Sequence, residues 1–207
     1  MTVPEIEQRS LSTTFETRDD AGIPTLVGYA ATFNQPYDLG PFTETIEPQA
    51  FTRTLSAQPD VRLLVDHKGQ PLARTKSGTL TLTPDSTGLH VRAALDPTDP
   101  DVQRLLPKMR RGDLDQMSFG FRVPAGGDSW QHTGETSVRT LREISLSGGD
   151  VSVVTYPAND KTSVSLRALA SLADALGDVD LEDPELAYLD LLRRQHEHAG
   201  RRSRLAS

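Results

Sequence analysis

The 207-residue chain has no cysteine. That absence removes a disulfide framework, a cysteine nucleophile and every zinc site built on thiolates. It also accords with manufacture in a reducing cytosol. No stretch approaches the roughly 20 apolar residues that span a bilayer. The polar first 20 residues lack the apolar run of a signal peptide. The protein is therefore expected to be soluble and intracellular, without membrane contact. No basic stripe runs through the body, and the formal net charge is −7. Such a balance is a poor match for binding nucleic acid through its phosphates. Two motifs are missing as well. Without H-E-x-x-H, and with His90 and His132 lacking partners at ligand spacing, neither a metal nor a cofactor is expected. Without G-x-S-x-G there is no nucleophile elbow, which disfavours an esterase of that kind.

What is present is enough for one ordinary core: hydrophobic residues make up 36% and charged residues 25% of the chain. That balance belongs to globular rather than disordered chains. Residues 1–10 read as a loose polar lead-in. From 11 to 167 short β-type runs alternate with Gly, Pro, Asp and Asn. Thr79–Thr83 and Leu89–Ala93 alternate on either side of Pro84-Asp85-Ser86-Thr87-Gly88, which predicts a hairpin. Further strands are expected at 26–33, 61–65, 117–123, 137–146 and 150–155. A short helix is expected from Pro48 to about Ala57. A second follows Thr98-Asp99-Pro100, with Val102, Leu105, Leu106 and Met109 at i, i+3, i+4 and i+7 and Gly112 as its stop. Residues 168–207 change character: an Ala-, Leu- and Asp-rich helical stretch ends in a basic segment, the pattern of an interaction tail. The expected class is mainly β with flanking helices (α+β), a closed or nearly closed barrel plus a C-terminal helical tail.

Three segments hold residues with chemistry. In Gln116-Met117-Ser118-Phe119-Gly120-Phe121, strand alternation sends Met117, Phe119 and Phe121 to the core and Ser118, Gly120 and Arg122 to the other face. Gly120 would leave space beside the Ser118 hydroxyl for a bulky substrate. The same pattern also fits a plain surface serine. In Leu63-Leu64-Val65-Asp66-His67-Lys68, alternation puts His67 on the face of Leu63 and Val65. It is there either a base or a partly buried structural histidine, and Asp66 projects away from it. In the strand Asp150–Val154, Asp150 shares a face with Ser152. A carboxylate at such a strand start can orient a histidine from behind, and Glu143 competes for that role.

Taken together, LLVDHK, MSFGFRV and DVSVVTYPAND, preceded by GYAATFNQPYD and FTETIEPQAF, resemble the prohead (capsid maturation) serine proteases of tailed phages. That family is similar in fold to the herpesvirus assemblins. The resemblance spans roughly residues 11–167. It implies a β-barrel ringed by helices, with Ser118 as nucleophile, His67 as general base and Asp150 as acid. The chain departs from the family pattern in carrying extra Ser147-Gly148-Gly149 just before that acid, which keeps Glu143 as the alternative. Arg142 and Arg139 are oxyanion candidates by the same resemblance. It further implies action on major capsid protein and scaffold segments inside the assembling prohead, in the host bacterial cytoplasm. A homodimer or higher homo-oligomer and self-removal of the tail are also implied. The competing expectation is a non-enzymatic β-barrel module, structural or adhesive, in which Ser118 and His67 are incidental.

Overall fold

A computed structural model describes residues 5–133 and 136–156; the predicted tail, 168–207, lies outside the described residues. Among the described residues thirteen strands and two helices follow one another as β1 (Glu7–Thr14), β2 (Glu16–Asp20), β3 (Ile23–Thr32), β4 (Tyr37–Asp38), β5 (Thr43–Ile46), α1 (Thr52–Ser56), β6 (Arg62–Val65), β7 (Lys68–Arg74), β8 (Leu80–Pro84), β9 (Gly88–Ala94), α2 (Pro100–Arg111), β10 (Gln116–Arg122), β11 (Asp128–Thr133), β12 (Thr136–Leu141) and β13 (Ser145–Val154). The protein is mainly β, as its alternation and turn residues predict. The β8–β9 hairpin forms where Pro84 and Gly88 bracket the turn.

Among the described residues the strands do not close a barrel. They make three sheets, ordered β1-β10-β13-β6-β7, β11-β12-β5-β4 and β2-β3-β9-β8. Closure fails because the hydrogen-bond ladder is broken at the corners. β1 pairs with β10 in the first sheet, whereas its continuation β2 pairs with β3 in the third. The sheets share one core in which Phe51, Leu63, Phe119, Phe121, Val151 and Val153 are fully buried. Among the described residues no helix is long and apolar enough to cross a membrane.

Helix α2 starts and stops on the expected signals. Asp99 accepts a hydrogen bond from the Asp101 N–H, Pro100 opens the first turn, and Gly112 closes the helix at φ 79°. Val102, Leu106 and Met109 are its buried stripe. Pro107 is carried inside the helix, although it has no N–H to donate to the preceding turn. Helix α1 is shorter than expected: residues 48–50 form turns and the regular helix begins at Thr52.

Residues 7–10, read from the sequence as the end of a polar lead-in, instead form the paired first half of β1, with Arg9 opposite Phe119 and Ser10 opposite Ser118. Their charges resemble those of a solvated segment but are neutralised inside the protein rather than by water. The Arg9 guanidinium donates through Nε and Nη2 to the two oxygens of Glu44, at 2.7 and 2.9 Å, and through Nη2 to Glu7 at 2.8 Å. Arg139 donates to Glu7 at 2.7 Å, to Glu44 at 3.0 Å and to Asp128 at 2.8 Å. Glu7, Arg9, Glu44 and Arg139 are all at most 1% exposed. Burial alone would push the Glu7 carboxyl up, yet Arg139 and Arg9 outweigh it and hold the group below its ordinary value.

Candidate active site

The site is built on three neighbouring strands of the first sheet. In register, Ser118 of β10 lies opposite Ser152 of β13, and Ser152 lies opposite Leu64 of β6. His67 is then one turn beyond the end of β6. Alternation predicts that the strand continues through it, but the chain turns there. Val65 pairs with Lys68, so Asp66 and His67 are the two central residues of a tight hairpin. Both have positive φ, 49° and 57°, as a two-residue type I′ turn demands of its central pair. Asp and His visit that region more readily than bulky or β-branched residues. Other bonds hold the turn. Asp66 donates its N–H to the Val153 carbonyl at 2.9 Å. Its carboxylate accepts from the Thr155 N–H at 2.7 Å and the Thr155 hydroxyl at 2.8 Å. Asp66 thus fixes the turn without touching the imidazole, in keeping with its expected outward projection.

The turn aims the imidazole back across β13. His67 Nε2 lies 2.7 Å from Ser118 Oγ and Nδ1 lies 2.8 Å from Asp150 Oδ2. A carboxylate only accepts, so the Nδ1 atom carries the proton in this pair and leaves Nε2 as an acceptor for the serine hydroxyl. Ser118 Oγ also lies 2.9 Å from the Arg9 carbonyl of β1. One hydroxyl proton serves one of these acceptors at a time, so a bond to Arg9 and a bond to His67 are alternatives. Ser118 is fully buried, whereas the His67 and Asp150 side chains are 11% and 14% exposed. The strand face expected to present the serine to solvent is therefore covered.

Of the two carboxylates considered, Asp150 is the one brought to His67. Glu143 sits elsewhere, accepting from the exposed Arg53 at 2.9 Å. The extra Ser147-Gly148-Gly149 does not displace Asp150, because β13 absorbs it in a bulge. Between the pairs Arg122–Ser145 and Gly120–Asp150 the ladder advances two residues on β10 and five on β13. Gly148 takes φ 72° in that bulge, and a Cβ on Gly149 would lie 2.0 Å from the Gly120 carbonyl oxygen. Both positions therefore demand glycine.

Gly120 has a different purpose from the one read in the sequence. A Cβ there would lie 2.7 Å from Asp150 Oδ1 and 3.4 Å from Ile6 Cγ2. The gap is already filled by the carboxylate, so it makes room for Asp150 rather than for substrate. Gly120→Ala is expected to fold, since the crowded atom ends a movable side chain, but to push Asp150 out of line with His67. A misplacement near 1 Å costs about 100-fold in rate. Thermal melting and the rate of serine labelling by a fluorophosphonate would be compared; an unchanged rate rules out this account of Gly120.

The two arginines proposed for an oxyanion are both otherwise engaged. Arg139 has an acceptor on each of its three guanidinium nitrogens: buried Glu7 on two and the partly buried Asp128 on the third. The Arg142 side chain is half-exposed beside Glu47, 3.7 Å away. Among the described residues neither guanidinium touches Ser118, His67 or Asp150. Two groups that do touch the site were missed from sequence. Ser152 donates to Asp150 Oδ2 at 2.6 Å, and the Arg9 main chain meets Ser118. Strand alternation already put Ser152 on the face of Asp150; nothing in the sequence pairs β1 with β10.

Comparison with known families adds to this geometry. The family model for caudovirus prohead serine proteases matches residues 10–175. The chain belongs to that family. The matched span includes His67, Ser118 and Asp150, and it covers the three segments on which the resemblance was drawn. No curated protein and no solved structure matches the chain. Membership in a prohead serine protease family carries the expectation of serine protease chemistry, and the array around Ser118 is the place in the described fold where a serine, a histidine and a carboxylate meet.

Proposed function

We propose that this protein is a serine endopeptidase that cuts scaffold and capsid-protein segments during maturation of a phage prohead, with Ser118 as nucleophile, His67 as general base and Asp150 as the group that orients His67. The observation that carries the reading is the unbroken chain from Ser118 Oγ to His67 to Asp150, at 2.7 and 2.8 Å, in a member of a serine protease family. In acylation, Ser118 Oγ bonds to the peptide carbonyl carbon as its proton passes to His67 Nε2. Asp150 stabilises the imidazolium so formed without taking its proton. His67 then protonates the leaving amine as the C–N bond breaks, giving an ester on Ser118. Water repeats the sequence: His67 takes its proton, the ester opens, and Ser118 regains its hydrogen.

The same reading sets the place of action inside the assembling prohead in the host cytoplasm, where capsid and scaffold chains are at hand. A fluorophosphonate tests the core of it, because it labels an activated serine and ignores an ordinary one. The full-length protein is expected to gain one adduct, mapped by mass to the peptide bearing Ser118 and missing from Ser118→Ala. Absence of any adduct on the folded protein would favour a non-enzymatic virion module instead.

A further inference from the structure

Beyond Ser118, His67 and Asp150, one buried group belongs to the same chain of hydrogen bonds. Ser152 is fully buried on β13. Its hydroxyl makes two contacts, one as donor and one as acceptor. Oγ donates to Asp150 Oδ2 at 2.6 Å. That oxygen also accepts the His67 Nδ1–H at 2.8 Å. The same Oγ accepts the backbone N–H of His67 at 3.2 Å. The serine thus joins the carboxylate to the main chain that carries the imidazole. It donates once and accepts once, and its proton goes to the carboxylate, because a backbone N–H can only donate to it.

We propose that Ser152 is a positioning residue of this site, holding the Asp150 carboxylate in line with the His67 Nδ1–H while tying down the turn on which His67 is mounted. The inference rests on the protease reading for its effect on rate, but its structural content stands on the contacts alone. The reasoning is geometric. Asp150 opens the regular part of β13 just after a three-residue bulge, and its side chain is partly solvent-accessible. Rotation about χ1 or χ2 would take Oδ2 away from the imidazole. A bond from a neighbour on the same strand face fixes the rotamer, and charge-assisted bonds to a carboxylate are the strong kind. His67 sits at φ 57° in a two-residue turn, where a second anchor besides Asp66 limits its swing. Catalytic geometry depends on such supporting contacts, because small displacements at the base are costly.

The test uses the full-length chain and two readouts. The first is the second-order rate of fluorophosphonate labelling at Ser118. The second is the downfield proton resonance of the His67 Nδ1–H in protein carrying labelled histidine, a signal that reports the bond to Asp150 whether or not the protein turns over substrate. Ser152→Ala is expected to lower the labelling rate about tenfold, the scale of one lost charge-assisted bond, and to broaden or abolish the Nδ1 proton signal. Ser152→Thr, which keeps the hydroxyl, is expected to restore both to within about threefold of wild type. If Ser152→Ala melts early, Ser152→Cys serves in its place, since a thiol is similar in size but a weak donor; the same loss is expected. Wild-type labelling rate together with an intact Nδ1 signal in the Ala or Cys variant would overturn the proposal. A wild-type protein that shows the Nδ1 signal yet never labels would instead sink the protease reading, and loss of the signal in Ser152→Ala would still support the positioning role.

Discussion

Asp150→Asn is expected to cut the reactivity of Ser118 about 10⁴-fold, the loss seen when a triad carboxylate becomes an amide and the histidine takes the wrong tautomer. The amide is nearly isosteric with the carboxylate, so the contacts to His67 and Ser152 keep their positions while their donors and acceptors change. An amide NH₂ facing Nδ1 favours the proton on Nε2, and Nε2 then cannot accept from Ser118. Glu143→Gln is the matched control. Glu143 is a partly exposed residue whose partner Arg53 is 80% exposed, and surface pairs of this kind contribute about 0–1 kcal/mol. Its rate is expected to stay within about twofold of wild type. The two variants are compared by fluorophosphonate labelling rate at neutral pH. Equal losses in both, or a larger loss in Glu143→Gln, would overturn the assignment of the third member.

Arg139→Met should produce the largest loss of stability. Arg139 is fully buried and engages Glu7, Glu44 and Asp128. Burial alone would lower its basicity, but these three carboxylates outweigh that effect and raise it. Removing the cation leaves Glu7 and Glu44 with Arg9 alone. Truncating one partner of a buried ion pair costs about 3–5 kcal/mol, because an uncompensated charge stays inside. Urea unfolding at pH 7 would report this as a lower midpoint at an unchanged slope. A loss under about 1 kcal/mol would mean that the cluster does not hold β1 against the sheets. The cluster bears on the site as well, because the strand it fixes brings the Arg9 carbonyl to Ser118.

The parts of this protein legible in its sequence are those set by local rules. Helix α2 follows from Asp99, Pro100, the apolar spacing and Gly112. The β8–β9 hairpin follows from its turn residues, and the inward Met117, Phe119 and Phe121 from alternation. Ser118 and His67 could be named because their segments resemble a family. How they meet could not. His67 follows an apolar run without a glycine or asparagine to announce the turn, so alternation extended the strand through it. The lead-in looked solvated because Glu7 and Arg9 are charged; their counter-charges, Glu44 and Arg139, lie 35 and 130 or more positions away, beyond the reach of any pattern in one sequence. The barrel failed to close for a related reason. Strand number can be estimated from turn signals, whereas the corner at which β1 passes into β2 depends on pairings made far along the chain.

Strand β13 carries Asp150 and Ser152, and through Thr155, just past its end, it grips Asp66 and so the turn that bears His67. The β6–β7 turn that bears His67 is thus bonded to the strand that carries Asp150 and Ser152. Ser118 lies on the opposite neighbour of β13, β10. The distance from nucleophile to base therefore depends on the register of β10 against β13, which the ladder pairing Ser118 with Ser152 sets. Drift along that coordinate would separate the nucleophile from its base while leaving the bonds among His67, Asp150 and Ser152 in place.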